Sequence, residues 1–510
     1  MQRKIRIPLT LAPLALTGLL LAGCTGGATN TDPDGGESPA AADATLRINY
    51  GEFPENWAPG QEMEGGLLRV PYETLLAPGA DGTPQPFLAT DYELTDEAIT
   101  LTLRDGVTFH DGTPLDAEAV KANVEYVKAG ATPAAGVLQS IESVDVVDDL
   151  TVRFNLAGPN PAIAHTLTTR TLPIASPASL ADDSAAQHPV GTSPWAYSPD
   201  TSVTGTRLAF TAFEDYWGDA PGFANIELYA IAEPEAAAAA LLNGEIDVTE
   251  VEPTVLPRFE GSAIEHIQFP AIRNNVIFFD RGPGGVFESQ ELRQAVCSAI
   301  DVAQFGEISG EHEAAAQHFD EGEIGYSADI AGYGGDLDEA KTLYSDAGSP
   351  SVSMELIAAP YNAHQLEVYV EQFSQIGDIS ATVSTVPPPQ FGGEWNSGRY
   401  PMGLGSNDEA TPFEWYNSWF AADAPGNPSG VESEALKRAA DAAIAAGGSE
   451  EAAELWGEAM KVVSDEALTC AHARGLETIA WNPEVVEGIA QPAELWEPKL
   501  INYRDVTPAS

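Results

Sequence analysis

The sequence predicts an α/β fold, because segments with the two-residue period of strands alternate along it with segments that have helical spacing. The clearest unit spans residues 337–386. In it, a predicted helix over 338–347 precedes a strand over 352–356, and a helix over 362–376 precedes a strand over 379–383. This order of helix, strand, helix and strand favours a right-handed crossover between parallel strands.

Further elements support the same fold class. Alternating apolar residues predict strands over 99–103, 150–156 and 226–228, and Asp116 is placed to cap a helix that runs to Ala129. More helices are predicted over 234–243, 434–446 and 450–468. The sequence shows no repeat of 20 to 50 residues, so a solenoid or a propeller is disfavoured.

Length and charge limit the possible functions. The chain has 510 residues, too many for one hydrophobic core, so two or three lobes are expected. It has 23 Lys and Arg residues and 77 Asp and Glu residues, and the formal net charge is -54. Such a chain repels phosphates and anionic headgroups, which excludes nucleic acid and anionic lipid surfaces as partners. We interpret the acidity as a solvated surface and not as a ligand signal.

The N-terminal segment is typical of a lipoprotein signal. Three basic residues precede an apolar stretch over 7–22 that is shorter than the ~20 residues of a membrane-spanning helix. Small residues then precede Cys24, which we expect to be lipidated after removal of a signal peptide over 1–23. Two acyl chains would hold the protein stably on a membrane, and the polar residues 24–44 would form a flexible tether. An ordinary secretory peptide with a chance cysteine is the alternative.

Two more cysteines, Cys297 and Cys470, lie in apolar helical surroundings. They are too few for a cysteine metal cluster. Outside the cytoplasm they could form one disulfide, but two separate buried thiols fit the sequence equally well, since it does not give the Cα separation.

The local signatures of enzymes are missing from the sequence. It has no G-x-S-x-G element and no P-loop, and we expect neither catalysis nor a cofactor. His312 and His318 flank the nearest look-alike of a metalloprotease motif, but they are six residues apart instead of four. We therefore predict a solvated acidic helix or loop there, and no metal site.

A family resemblance rests first on residues 101–120, which read Leu-Thr-Leu-Arg-Asp-Gly-Val-Thr-Phe-His-Asp-Gly-Thr-Pro-Leu-Asp-Ala-Glu-Ala-Val. This run of strand, tight turns and capped helix resembles the signature of the extracellular solute-binding proteins that serve ABC importers of oligopeptides, dipeptides and nickel. Segments 71–76, 82–89, 190–195, 215–218, 243–248, 292–295, 299–301, 338–341 and 346–348 resemble the same family.

The resemblance implies two α/β lobes hinged together, with an extra domain inserted in the first lobe and the ligand cleft between the lobes. This is the type II periplasmic-binding-protein-like fold. Mapped onto this chain, the plan places lobe I at 45–65, 193–270 and 478–510, the extra domain at 66–192 and lobe II at 271–477.

The predicted ligand site is the densest aromatic cluster, which suits a concave pocket but would equally suit a plain core. Its nominated members are Trp395, Gly405, Asn407, Asp408, Trp415, Tyr416 and Trp419. In peptide-binding relatives, an aspartate four residues before a proline of the pocket loop takes the ligand's α-ammonium, and Asp408 stands at that position before Pro412. The alternative for Asp408 is a turn aspartate that caps its own backbone.

One departure from the family is that Ala363, His364 and Gln365 stand where dipeptide-binding relatives carry a basic residue for the ligand carboxylate. A free dipeptide is thereby disfavoured as the ligand.

The predicted function is that of a membrane-tethered, monomeric receptor on the outer face of the cytoplasmic membrane, as in a Gram-positive cell. It would capture peptides and dock on an ABC permease. The alternatives are an oligosaccharide or other stacking ligand, a nickel chelate, a secreted hydrolase and a passive adhesin.

Overall fold

The computed structural model confirms the predicted alternation of strands and helices. It describes residues 44–61, 65–79, 83–130, 132–407, 409–447, 450–490 and 503–510, with only the backbone described at 65, 133, 271–273, 308, 389 and 450. Cys24, Asp408, the predicted signal peptide and all but the last residue of the predicted tether lie outside the described residues.

Strands and helices are numbered separately along the described residues. The strands are β1 Thr45–Asn49, β2 Leu76–Pro78, β3 Pro84–Pro86, β4 Ala89–Leu94, β5 Ala98–Leu103, β6 Ile141–Asp148, β7 Thr151–Leu156, β8 Trp195–Tyr197, β9 Arg207–Ala212, β10 Asn225–Tyr229, β11 Val248–Glu250, β12 Glu265–Phe279, β13 His312–Ala314, β14 Val352–Ala358, β15 Ile379–Thr385, β16 Met402–Asn407, β17 Thr469–Trp481, β18 Val486–Glu487 and β19 Thr507–Pro508. The α-helices are α1 Gly65–Leu68, α2 Ala117–Ala129, α3 Pro133–Val137, α4 Ile163–Thr166, α5 Pro177–Ala181, α6 Pro234–Leu242, α7 Gln290–Ala299, α8 Val302–Ser309, α9 Leu337–Asp346, α10 Ala363–Phe373, α11 Pro388–Asn396, α12 Pro412–Trp419, α13 Glu434–Ala445 and α14 Glu450–Asp465.

One long sheet runs through the molecule in the order β15-β14-β16-β12-β17-β11-β1-β10-β9-β8, and β13 pairs separately with β17. The long strands β12 and β17 lie antiparallel at its centre, with β16 on one side and β11 on the other. The two halves of the sheet agree with two α/β lobes joined through β12 and β17. The residue boundaries of the lobes stay predictions.

The crossover predicted over 337–386 is present. Strands β14 and β15 pair in parallel, with Val352 opposite Ile379, and α10 connects them. The preceding helix α9 begins one residue earlier than predicted, because the side chain of Asp336 accepts hydrogen bonds from the backbone N–H groups of Asp338 and Glu339. Gly348, at φ 85°, follows α9 in the left-handed region that favours glycine.

A second, four-stranded antiparallel sheet has the order β4-β5-β7-β6. Helix α2 packs against it through Val120, Val124 and Val127, all fully buried, and begins as predicted at Asp116, which accepts from the Ala119 N–H at 2.8 Å. This sheet lies within residues 66–192, the stretch predicted to form the extra domain.

Several segments that carry the family resemblance meet at Glu73, a carboxylate buried to 3% exposure. It accepts hydrogen bonds at 2.7 to 2.9 Å from Thr192, Tyr216, Trp217 and Arg504. We call these five residues the Glu73 cluster. Arg504 also lies over the ring of Phe87, at 5.0 Å. The cluster ties the C-terminal segment to residues far earlier in the chain.

His110 makes a second link between these segments. The backbone N–H of Gly191 donates to its Nδ1 at 3.3 Å, and its Nε2 lies 2.9 Å from the Ser193 carbonyl, to which it donates in this tautomer. Burial lowers the pKa of His110 to about 4, although the Ser193 carbonyl and Asp111 oppose this shift. The imidazole is therefore neutral at physiological pH.

The two cysteines whose pairing the sequence left open are joined by a disulfide, with a Cα separation of 5.8 Å. It connects α7 to the beginning of β17, across 173 positions of sequence. Both cysteines are buried, in a core formed by α7, α9 and α10 against the sheet.

The prediction of a solvated acidic helix or loop at residues 312–318 is wrong. His312 begins strand β13, which pairs with β17, and His318 is buried to 6% exposure. The edge of β17 supplies the backbone partners, and the ring of Trp415 stacks on that of His318 and covers it. In the described part of the chain, helices that are both long and apolar enough to span a membrane are absent.

Candidate ligand-binding site

Two parallel strands of the lobe II half end at the same edge of the sheet. Strands β14 and β16 pair in parallel, with Ala358 opposite Leu404. The chain continues from β14 into a short 3-10 helix, Pro360–Asn362, and β16 ends at Asn407. Ligands of open α/β sheets bind outside the carboxyl ends of strands, so this edge is where a site is expected.

Buried amide side chains gather at this edge around Asn275 of β12. Its Nδ2 donates to Gln365 Oε1 at 2.9 Å and to His312 Nε2 at 3.0 Å. Its Oδ1 accepts from Ser406 Oγ at 2.7 Å, and Ser406 Oγ in turn accepts from Asn362 Nδ2 at 3.2 Å. We call these five residues the amide cluster. Burial lowers the pKa of His312 to about 4, so its ring stays neutral and can accept the bond.

Asn274 and Asn407 lie on the other face of the same strands. They stand directly opposite each other in the β12–β16 ladder, and both are 1% exposed. Asn274 donates to the His318 carbonyl at 3.1 Å, while its Oδ1 has no partner among the described residues. Within that same part of the chain, neither Oδ1 nor Nδ2 of Asn407 has a hydrogen-bond partner. A buried amide with nothing bound to it is costly, and a bound ligand group or water usually meets that cost.

Two of the nominated residues pack against Phe278, which lies on the same face of β12 as Asn274. Trp419 is half-buried, stacks on Phe278 with 3.6 Å between ring centroids, and donates through Nε1 to Glu409 Oε1 at 2.8 Å. Gly405 faces Phe278 from β16, where an added Cβ would lie 3.2 Å from the ring. Glycine therefore lets the aromatic stack pack close to the strand.

The other three nominated aromatic residues are buried in apolar clusters. Trp395 donates to the Gly426 carbonyl at 2.8 Å, and Tyr416 donates to Glu432. Burial, together with Glu432, raises the pKa of Tyr416 above its ordinary value. Trp415 stacks on His318 at 4.5 Å between centroids. These positions match the core alternative for the aromatic residues.

Asp408 itself is not described, but the residues after it are held in place. His318 Nε2 lies 2.9 Å from the Glu409 carbonyl, and Thr411 caps α12 by accepting from the Glu414 N–H at 3.2 Å. Glu414 also accepts at 3.3 Å from Thr166, which belongs to the stretch predicted as the extra domain.

The lobe I half presents a matching edge. Strands β1 and β11 pair in parallel, and Asn49 at the end of β1 donates to Thr249 at 3.2 Å. A small cavity of ≈ 20 Å³ lies at this edge. Its lining residues are Ile48, Asn49, Tyr50, Val248, Thr249, Glu250 and Ile479.

Sequence reasoning missed Asn49, Asn274 and Asn275 as site candidates. The available signal was polar amides at the ends of apolar strands, because those ends face the cleft in open sheets. Among the described residues, groups of three or more His, Cys, Asp or Glu side chains that could hold a metal ion are absent.

Comparisons with known proteins agree with this architecture. A family model described as "Bacterial extracellular solute-binding proteins, family 5 Middle" matches residues 83–427. The chain is 25% identical over 426 residues to the "Probable D,D-dipeptide-binding periplasmic protein DdpA" of Escherichia coli (strain K12), a match that covers 79% of this chain and 82% of that protein.

Solved structures show the same fold. NikA from Brucella suis in complex with Fe(III)-EDTA matches with a TM-score of 0.78 and 22% identity, over 91% of this chain and 100% of that chain. DppA from Helicobacter pylori in complex with the peptide STSA matches with a TM-score of 0.73 and 19% identity, over 92% and 98%.

The sheet halves joined through β12 and β17, and the likeness to these structures, define a two-lobed α/β fold. Because the family model covers more than half of the sequence, the chain belongs to the bacterial extracellular solute-binding proteins, family 5. This is a transport family that serves ABC importers and not a family of enzymes.

Proposed function

We propose that this protein captures peptides in the cleft between its two lobes and delivers them unaltered to an ABC permease. Closure of the lobes around the ligand would select the bound state, through contacts that both lobes share. The proposal includes the predicted lobe boundaries, a monomeric receptor, and attachment through lipidated Cys24 to the outer face of the cytoplasmic membrane of a Gram-positive cell.

The observation that carries the peptide proposal is the unpartnered carboxamide of Asn407, among the described residues, at the carboxyl edge of the sheet. A carboxamide offers one acceptor and two donors, and a peptide group offers one donor and one acceptor. The two therefore pair with each other, and the ligand's backbone would meet the hydrogen-bonding capacity that the fold leaves open. The amide cluster around Asn275, on the opposite face of the same strands, would give this wall a fixed geometry.

The next residue along the chain supplies the proposed charge. A carboxylate at Asp408 would pair with the ligand's α-ammonium, and enclosing the two charges together avoids leaving one of them buried alone. Trp419, held by Phe278 and Glu409, would form a rigid wall beside it. Trp395, Trp415 and Tyr416 would support that wall from the core.

Thermal unfolding of the full chain with a pool of short peptides tests the proposal. A ligand that binds the folded form raises the melting temperature by an increment that grows with its concentration. We expect a rise with peptides that have a free α-ammonium and a smaller rise with the same pool acetylated at the N-terminus. Asp408→Asn should remove the difference between the pools, and Asp423→Asn, at an exposed position, should keep it.

Other results would contradict the proposal in different ways. Stabilisation by oligosaccharides or by nickel chelates, without any response to peptides, would replace the ligand class and keep the binding function. Chemical cleavage of a peptide by the purified protein would replace the function itself.

A further inference from the structure

Behind the proposed ligand wall, lobe II contains a cavity of ≈ 20 Å³. It lies between the start of β17, the end of α14, α12 and residues 315–319. The polar residues among its lining are Gln317, His318, Tyr333, Trp415, Ser464, Thr469 and His472. A cavity needs at least about 10 to 15 Å³ on this measure to hold a water molecule, so this space is large enough for one.

Two polar atoms of this lining are buried without a partner. Trp415 is 2% exposed and His472 is 8% exposed. Among the described residues, neither Trp415 Nε1 nor His472 Nδ1 has a hydrogen-bond partner. Their ring centroids lie 6.1 Å apart at an angle of 62°. Because both residues line the same cavity, one small molecule bound in it is placed to bridge the two rings.

The chemistry of the two atoms defines the guest. The indole N–H can only donate, so the guest must accept a hydrogen bond. Burial, with a further contribution from His318, lowers the pKa of His472 to about 3, so the imidazole is neutral. We assign the proton of this neutral imidazole to Nε2, which leaves Nδ1 as an acceptor, so the guest must also donate a hydrogen bond there. Water does both at the size of this cavity.

We propose that this cavity is a binding site for one ordered water, which accepts from Trp415 Nε1 and donates to His472 Nδ1. Trp415 stacks on His318, and His318 holds the Glu409 carbonyl next to Asp408. The bound water thereby links α12 to β17. Through the stacked rings of Trp415 and His318, it also helps to hold Glu409 in position.

The test observes water directly in the full-length protein. A high-resolution crystal structure should show one density peak within hydrogen-bond distance of both atoms. In solution, ¹⁵N-labelled tryptophan should give a long-lived cross-peak between the Trp415 indole proton and water. Trp395 is the internal control, because its indole already donates to the Gly426 carbonyl and should give no such cross-peak.

Two variants separate this site from general effects on folding. His472→Gln keeps an acceptor and should keep the cross-peak, whereas His472→Phe should lose it. Any of three results would overturn the proposal: a cavity without a density peak in the wild-type crystal, a group other than water in the cavity, or a Trp415 indole without the cross-peak. These measurements on the wild-type chain need neither variant to fold.

Discussion

The Glu73 cluster and the Asn274–Asn407 pair are both buried polar sites, and they differ in how far their hydrogen bonds are satisfied. Glu73 accepts from side chains of four other residues, which the fold brings from distant parts of the sequence. Among the described residues, the side chain of Asn407 has no hydrogen-bond partner, although Asn407 is as deeply buried as Glu73. Saturated polar networks stabilise a unique fold, whereas unsatisfied groups are retained where something else binds. The comparison supports a scaffold role for the Glu73 cluster and the ligand-binding role that we propose for Asn407.

The largest loss of stability is expected when the Glu73 cluster loses Glu73, which accepts its hydrogen bonds. Glu73→Ala leaves the Thr192, Tyr216 and Trp217 donors and the Arg504 charge without the carboxylate they share, and should lower the free energy of unfolding by about 3 to 5 kcal/mol. Denaturant unfolding measures this. Glu235→Ala removes an exposed ion pair with Arg258 and should cost at most about 1 kcal/mol. Equal losses in the two variants would contradict the scaffold role.

Loss of the disulfide in the lobe II half should give the next effect. The Cys297–Cys470 bond links α7 to the start of β17, where the lining of the lobe II cavity begins. Replacing both cysteines by alanine should cost about 2 to 4 kcal/mol, because the unfolded chain gains freedom. Unfolding with and without reductant measures the same difference in the wild-type chain, and an unchanged midpoint in reductant would refute it.

His110 is another polar group whose hydrogen bonds are satisfied, and its contribution to the free energy of unfolding depends on pH. The folded pKa of about 4 lies below the unfolded value of about 6.5, so the folded state binds fewer protons between these values. The stabilisation is complete above about pH 6.5, falls as the pH drops, and is lost by about pH 4, for a total of about 3 kcal/mol.

Substitution isolates this contribution from those of His312 and His472, whose pKa values burial also lowers. His110→Gln should flatten the dependence of the unfolding free energy on pH between about pH 6.5 and pH 4. A wild-type slope in His110→Gln would show that this imidazole is not held neutral.

The sequence predicted the local elements of this fold, but it did not predict contacts between residues that are far apart in the chain. Helix starts at Asp116 and the crossover at 337–386 were predictable, because capping and periodicity act within a few residues. The Glu73–Arg504 pair joins residues 431 positions apart, and no local signal encodes such a contact. The nominated aromatic residues could not be sorted into wall and core for the same reason, since large rings suit both environments.

The smallest effect on stability should separate the two kinds of polar site most sharply. Asn407→Leu removes a buried amide that has no partner among the described residues, so the free energy of unfolding should stay unchanged or rise by about 1 kcal/mol. Asn275→Leu is the matched control: it is an equally buried asparagine, but its loss leaves Ser406 and Gln365 without their shared partner and should cost about 1 to 3 kcal/mol. Binding of short peptides, measured by calorimetry, should weaken at least about tenfold in Asn407→Leu, because the ligand's peptide group then faces a hydrocarbon. If Asn407→Leu were destabilised as much as Asn275→Leu, the carboxamide of Asn407 would belong to the scaffold, and the difference between the two regions would disappear.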